Sequence, residues 1–215
     1  LLKGRMNHAD SAGNSGELNP GGVQWMTAGS GVIHSELPHP DFQKTGGVMH
    51  GFQIWVNLPA ADKMMQPRYQ DIPEENIPVV SSQDGLVKVR VIAGQSLGQS
   101  AVIDTMIPIT VLHMTLKPGG KIVQSLDKGL NGMIYCFSGS LSVDEKALND
   151  GQLGILNDGD EVYLSVSDSA KEDVNILFLA GPEINEPIAR YGPFVMNTEQ
   201  EIMQAYADYN AGTLA

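Results

Sequence analysis

The chain has 215 residues, 25 Asp and Glu against 13 Lys and Arg, and a formal charge of −12 with histidine neutral; 42% of its residues are hydrophobic. That apolar fraction suits a folded chain with a sizeable core. The acidic balance argues against direct nucleic-acid binding, whose affinity comes from Lys and Arg neutralising phosphates, and against anionic membrane surfaces. No apolar run approaches the roughly 20 residues of a spanning helix, and no basic-then-hydrophobic leader opens the chain. The expectation is a soluble cytoplasmic protein with no membrane partner, or a nuclear one in a eukaryote. The lone Cys136, inside MIYCFSG, excludes an intrachain disulfide and reads as a buried small hydrophobe, which fits a reducing compartment.

In chain order, Leu1 opens the strand-like LLKG with no turn or cap before it, so the chain is expected to begin inside an element. Short β-rich runs punctuated by glycine follow: GGVQWMTA, GVIHSEL and HGFQIWVNL. Residues 66–85 are rich in Pro and polar side chains, lack periodicity and read as a linker. Then come LVKVRVIAG, ITVLHMTLKPG, GMIYCFSGSLSV and VNILFLAG, the pattern of an all-β sandwich or barrel. A helix is predicted only at the end, in NTEQEIMQAYADYNAG. There Ile202, Tyr206 and Tyr209 fall at helical spacing, Thr198 and Glu201 form a capping box, and Gly212 suits the exit.

Two internal matches suggest a duplication. LLKGRMNH pairs with CFSGSLSV, placing Gly4 and Gly139 135 residues apart, and LNPGGVQW pairs with LNDGDEVY, placing Leu18 and Leu156 138 apart. Two copies of one β-barrel follow as the expectation, with an N-terminal domain over 1–79 and a C-terminal domain over 80–215 that includes the helix.

The chemistry of greatest interest lies at His34 and Glu36. If GVIHSEL is a strand, Val32, His34 and Glu36 share one face, and the two donors sit roughly 6 to 7 Å apart at the backbone, from which both can reach one ion. Imidazole with carboxylate suits a first-row metal such as iron. The same residues also read as a solvated or hydrogen-bonded pair at a strand end. His8 (NHADSAGN) and His39 (LPHPD) sit in turn-like contexts and are expected at the surface. His50 opens HGFQIWVNL and is given a supporting role near the pocket. His113, inside ITVLHMTL, reads as a hydrogen-bonded core residue. Trp25 and Met26 read as core or as cavity lining. The glycines of TAGSG and KPGG lack the strand-to-helix context of a phosphate loop, and no nucleophile elbow is present.

PGGVQWMTAGSGVIHSE, HGFQIWVNLP, VKVRVIAGQSLG, TLKPGG and ARYGPFVMNTEQEI occur in order along nearly the whole chain, which resembles the pirins, the bicupin group of the cupin superfamily. The resemblance implies an all-β fold of two antiparallel cupin (jelly-roll) barrels packed face to face, with a short C-terminal helix. It also implies one non-heme Fe(II), or another first-row divalent metal, held in the N-terminal barrel by three His and one Glu. His34 and Glu36 match the last two ligands. The other two belong to an H-x-H motif on the strand before the LL-x-G turn, here Leu1–Gly4, so they are expected upstream of Leu1 and the first barrel is expected to be incomplete. Ser125-Leu126-Asp127 stands where the second barrel would carry its H-x-H, which implies a metal-free C-terminal barrel. His113 replaces a commonly acidic residue, and Ser30 a common arginine. The implied activity is an iron-dependent dioxygenase of the quercetin 2,3-dioxygenase type, acting on a flavonol, with Glu36 as ligand and proton acceptor and activity impaired in a chain lacking two ligands. The alternative is a non-enzymatic, iron- or redox-responsive transcriptional coregulator acting through protein partners.

Overall fold

A computed structural model describes residues 1–214. The first elements are β1 (Met6–Asp10), β2 (Ser15–Leu18), β3 (Val23–Thr27), β4 (His34–Pro38), the short helices α1 (Pro40–Thr45) and α2 (Ala60–Lys63), and β5 (Arg68–Ile72). Next come β6 (Val79–Ser81), β7 (Val87–Ala93), β8 (Gln95–Ser96), β9 (Gln99–Ser100), β10 (Thr110–Leu116), β11 (Lys121–Ser125) and β12 (Leu130–Ser138). The chain continues through β13 (Ser140–Val143), β14 (Lys146–Asn149), β15 (Leu153–Ile155), β16 (Glu161–Ser165) and β17 (Val174–Pro182), then β18 (Ala189–Tyr191), β19 (Phe194–Met196) and α3 (Glu199–Ala211). The fold is thus the expected one, strands in antiparallel sheets with a C-terminal helix. Among the described residues, no helix is long and apolar enough to cross a membrane.

Two compact units form, Leu1–Glu74 with Ile184–Ala215, and Glu75–Glu183. The sequence placed everything after residue 80 in one domain; the contacts return the last segment to the first unit. Glu186 Oε2 accepts from Ala60 N at 2.7 Å and from Asn197 Nδ2 at 2.9 Å, while Lys63 Nζ donates to Asn57 Oδ1 and to Val195 O.

In the second unit, alternation does the work expected of a half-buried strand. Along β7, Val87, Val89, Val91 and Ala93 point inward, and along β10, Leu112, Met114 and Leu116 do the same. They belong to a six-stranded sheet, β15-β12-β17-β10-β7-β6, whose inner face shares one core with a four-stranded sheet, β11-β16-β13-β14. Phe178, Ile134 and Met114 from the first sheet meet Ile122, Leu164 and Leu141 from the second. Cys136 is buried in this core, as expected, and burial pushes its thiol pKa up.

The first unit is built differently. It holds a three-stranded sheet, β2-β1-β4, and two pairs, β3-β5 and β18-β19. Of the buried apolar side chains among the described residues, only Ile202 belongs to it. Ile202 sits on α3, whose capping box is as predicted: Thr198 Oγ1 accepts from Glu201 N, Glu201 Oε2 accepts from Thr198 N, and Gly212 closes the helix in the left-handed region.

Two expectations fail here. Residues 66–85 are not a bare linker, because β5 lies within them and pairs with β3 in the register Trp25↔Gln70 and Met26↔Tyr69, and β6 pairs with β7. Pairing with distant partners overrode a local sequence that favours irregular structure. HGFQIWVNL, conversely, is no strand. His50 makes a bridge to Lys3, and beyond it Ile54, Trp55 and Val56 stand exposed and outside any sheet, with the Arg190 guanidinium over the Trp55 ring. A strand exists only where another satisfies its backbone groups, however favourable its composition.

Phe178→Ala is expected to cost about 3–5 kcal/mol in denaturant unfolding, whereas Ile155→Ala, at an 80% exposed edge position, should stay within about 0.5 kcal/mol. For α3 the sign follows from Glu201, whose pKa is lowered by its hydrogen bond from the Thr198 side chain and by backbone bonds from Thr198 and Asn197. A depressed carboxylate stabilises the folded state above its unfolded pKa and loses that contribution as pH falls through the folded value. Acid titration followed by helical circular dichroism should therefore show α3 fraying below the ordinary glutamate range, and Glu201→Gln should remove that step.

Candidate metal and ligand site

The site begins with a register. β1 lies between β2 and β4, and its antiparallel pairing with β4 sets His8 opposite Glu36 and Asp10 opposite His34. Directly opposed residues share a face, with Cβ atoms about 4.5–5.5 Å apart, so these four side chains emerge on the same side of the sheet. The entry to β4 is tied at Ser11, whose N donates to Ile33 O at 2.8 Å and whose Oγ accepts from Ile33 N at 3.1 Å. As the alternation predicted, His34 and Glu36 point the same way, with Nδ1 and Oε1 3.9 Å apart, and both are partly open to solvent. Gln53 Nε2 makes a long contact of 3.5 Å to Glu36 Oε2.

His8 is the main correction. Expected at the surface, it is only 6% exposed and sits within β1. Its Nε2 lies 3.2 Å from Asp71 Oδ2, and its ring stacks on Tyr69 with centroids 6.0 Å apart and planes 9° from parallel. Room for the ring comes from its cross-strand neighbour Gly16, since a Cβ there would fall 2.5 Å from His8 Nε2. Two polar atoms in this cluster, His8 Nδ1 and Tyr69 Oη, are buried without a hydrogen-bond partner. Burial first, then the negative charge of Asp10, with Glu36 and Asp71 adding to it, pushes the Tyr69 pKa up to about 12. Asp10 is close enough to act on that ionisation, but no hydrogen bond of ordinary geometry joins it to the phenol. Asp10 itself is held below the usual range, chiefly by the Asn14 side chain, whose Nδ2 donates to Oδ2 at 2.8 Å.

His8, Asp10, Tyr69 and Asp71 were all missed by sequence reasoning. A signal existed for them: His8-Ala9-Asp10 repeats the His-x-acid spacing of His34-Ser35-Glu36, and Tyr69 and Asp71 are likewise two apart on β5. His39 is also buried rather than at the surface. It caps α1, its Nδ1 accepting from Asp41 N at 3.2 Å while its Nε2 lies 3.3 Å from Glu17 Oε1. His50 rests against Phe52 with ring centroids 5.7 Å apart and is bridged through its backbone to Lys3. In the second unit His113 contacts Asn175 Oδ1 at 3.2 Å, and burial lowers its pKa.

The chain's donors match part of a metal centre. His34 and Glu36 supply an imidazole nitrogen and a carboxylate oxygen of the types a first-row metal takes. Among the described residues, however, no three His, Cys, Asp or Glu side chains converge on one point. The chain contains no H-x-H sequence, so the two further histidines implied by the resemblance are not among its five.

Comparison with known proteins gives this arrangement its context. The pirin family model matches residues 1–56, and the model of the pirin C-terminal cupin domain matches residues 111–215. A Pseudomonas aeruginosa protein carrying the provisional name quercetin 2,3-dioxygenase is 43% identical over 223 residues, covering all of this chain and 75% of the relative. Human pirin is 38% identical over 213 residues, covering 97% of this chain and 70% of its own length. The crystal structure of a quercetin 2,3-dioxygenase from Acinetobacter baumannii superposes with a TM-score of 0.93 at 37% identity, over 100% of this chain and 74% of that one. With sequence likeness of this extent and an antiparallel β fold that agrees, the chain belongs to the pirin family of cupin proteins.

Proposed function

We propose that the protein is a metal-dependent dioxygenase of the quercetin 2,3-dioxygenase type, with iron as its metal and a flavonol as its substrate, and that His34 and Glu36 are two of its metal ligands. The observation that carries the reading is the pair itself, His34 Nδ1 and Glu36 Oε1 3.9 Å apart on one open face of β4. Support comes from the likeness to relatives whose names carry that activity. A first-row divalent metal supplies, when bound, a Lewis acid that lowers the pKa of a coordinated hydroxyl.

The chain's own residues account for the handling of the proton. Glu36 has two oxygens; one faces His34, and the other is contacted by Gln53 Nε2. A carboxylate held in this way accepts a proton from a flavonol hydroxyl within hydrogen-bond reach. Asp10, opposite His34, and Asp71, beside His8, keep the surroundings negative, which favours a cation at the pair and disfavours anionic substrates.

His34→Ala is expected to lower Fe(II) retention by more than about 100-fold, beyond the cost of losing an outer hydrogen-bond partner; elemental analysis after loading and dialysis reads this, and unchanged iron content removes His34 from the ligand set. Oxygen consumption with Fe(II) and quercetin should depend on both His34 and Glu36, and turnover that survives Glu36→Gln overturns the proton-acceptor role.

A further inference from the structure

The His34 and Glu36 pair is flanked by contacts that lead back to the C-terminal segment. On the Glu36 side, Gln53 Nε2 reaches Oε2 at 3.5 Å, and two residues further on the Arg190 guanidinium lies 5.2 Å from the centre of the Trp55 ring. Residues 51–58 are hydrogen-bonded into no sheet among the described residues, so no ladder fixes where Gln53 stands. Both ends of the stretch are tied instead. His50 bridges to Lys3, while at the other end Ala60 N donates to Glu186 Oε2 at 2.7 Å and Lys63 Nζ donates to Asn57 Oδ1 and to Val195 O. Glu186 is oriented in turn by Asn197, whose Nδ2 donates to the same oxygen at 2.9 Å and whose N donates at 3.0 Å to Glu201 Oε2, part of the α3 capping box. On the His34 side, the loop before β4 rests on the exit of α2, where Ser30 N donates to Met65 O at 2.8 Å. Gly29 permits that approach, because a Cβ there would collide with Met65 O, and one on Gly31 would collide with Leu214 O. Helix α2 therefore stands between the C-terminal segment and the entry to β4, and Arg190 stands over the stretch that carries Gln53.

We infer that the C-terminal segment, residues 184–214, is a functional part of the first unit's candidate site, with Arg190 and Glu186 as positioning residues. Arg190 holds Trp55 and with it the Gln53 contact to Glu36; Glu186 holds α2 and with it the loop that delivers His34. The inference rests on the metal-pair reading above and adds to it residues that touch no metal. It also reassigns the segment, since the family model of the C-terminal cupin domain covers residues 111–215 while the contacts place the chain from Ile184 onward in the first unit. The links are hydrogen bonds and a cation–π contact rather than packed apolar side chains, so each can be cut without opening a core cavity.

The test follows the 215-residue chain by Fe(II) kept after loading and dialysis, amide exchange at Ser30, the rate of chymotryptic cleavage after Trp55, and the melting temperature. Glu186→Ala is expected to speed Ser30 exchange and lower iron retention, each about tenfold, the scale of a lost bond to a charged group. Glu186→Gln, which keeps an accepting oxygen, should restore both to within about threefold of the wild type. Arg190→Ala should speed cleavage after Trp55 and lower iron retention about two- to fivefold, and Arg190→Lys should restore both, since an ammonium also binds over an indole. In a Gln53→Ala background Arg190→Ala should lower iron retention no further, because it acts through that residue. Wild-type iron retention in both alanine variants, with exchange or cleavage altered, marks the segment as structural only and overturns the positioning role while leaving the metal pair standing. Iron loss that tracks melting temperature across all the variants, the conservative ones included, is general loosening and overturns it too. A wild-type chain that keeps no iron sinks the metal reading; the segment's hold on the loop before β4 and on residues 51–58 is then decided by exchange and cleavage, which uphold it if accelerated as above and overturn it if unchanged.

Discussion

The pairing of β1 with β4 is the constraint on which the candidate site depends. Side chains alternate with a period of two, so a slip of one residue would send either His8 and Asp10 or His34 and Glu36 to the opposite face and dissolve the site. Several contacts pin the register. Ser11 ties the start of β4, His39 N donates to Arg5 O at its end, and the absent side chain of Gly16 admits the His8 ring from the β2 side. The ion pair of Arg5 with Glu17 adds a link between β1 and β2, though an exposed pair of this kind contributes at most about 1 kcal/mol. Steric fit between His8 and Gly16 bears on the β1–β2 register instead, because a Cβ at position 16 would fall 2.5 Å from His8 Nε2.

The two units rest on different kinds of interaction. The second follows the usual logic of apolar burial, with strand after strand turning Val, Leu and Ile toward one core. The first buries little beyond Ile202 and relies on polar contacts: Glu186 spanning Ala60 and Asn197, and Lys63, its pKa lowered by burial, reaching Asn57 and Val195. Hydrogen bonds of this sort contribute about 1 kcal/mol each and are costly to leave half-made. A unit held in this way opens locally at lower free energy than a packed core. Ligand sites are commonly drawn from such regions, and here the proposed metal pair lies in it.

Much of this was legible in the sequence. The second-unit strands, the capping box of α3, and the shared face of His34 and Glu36 all follow from spacing, because each is decided within a few residues. His8 and His39 were misread because their local settings, NHADSAGN and LPHPD, contain turn residues, whereas their burial is decided by Gly16 and Asp71 in one case and by the start of α1 in the other. The linker reading of residues 66–85 failed for the same reason: β5 exists by virtue of β3, more than forty positions earlier in the chain. Tyr69 and Asp71 were therefore lost with it. For His8 and for β5 the deciding partners lie on other strands, beyond the reach of local composition; for His39 the neighbour was close in sequence, and the capping role was read as a surface turn.

The proposed duplication receives its most specific support at two glycines. Gly4 and Gly139 both adopt left-handed φ, +92° and +82°, a region that favours glycine. A Cβ on either would press on the same kind of neighbour: 2.9 Å from Met49 Sδ and 3.2 Å from Met49 Cα for Gly4, and 2.9 Å from Val174 Cγ2 and 3.3 Å from Val174 Cα for Gly139. Met49 immediately precedes HGFQIWVNL and Val174 opens β17, so the two turns sit against equivalent apolar segments. The outcome for those segments nevertheless differs. β17 is flanked by β12 and β10 and becomes a fully paired central strand, while residues 51–58, of similar composition, are hydrogen-bonded into no sheet among the described residues. The same kind of sequence, entered past the same glycine turn, becomes a strand only where its neighbours supply the hydrogen bonds. By that criterion, burial of Ile54, Trp55 and Val56 depends on pairing partners rather than on any change within the segment itself.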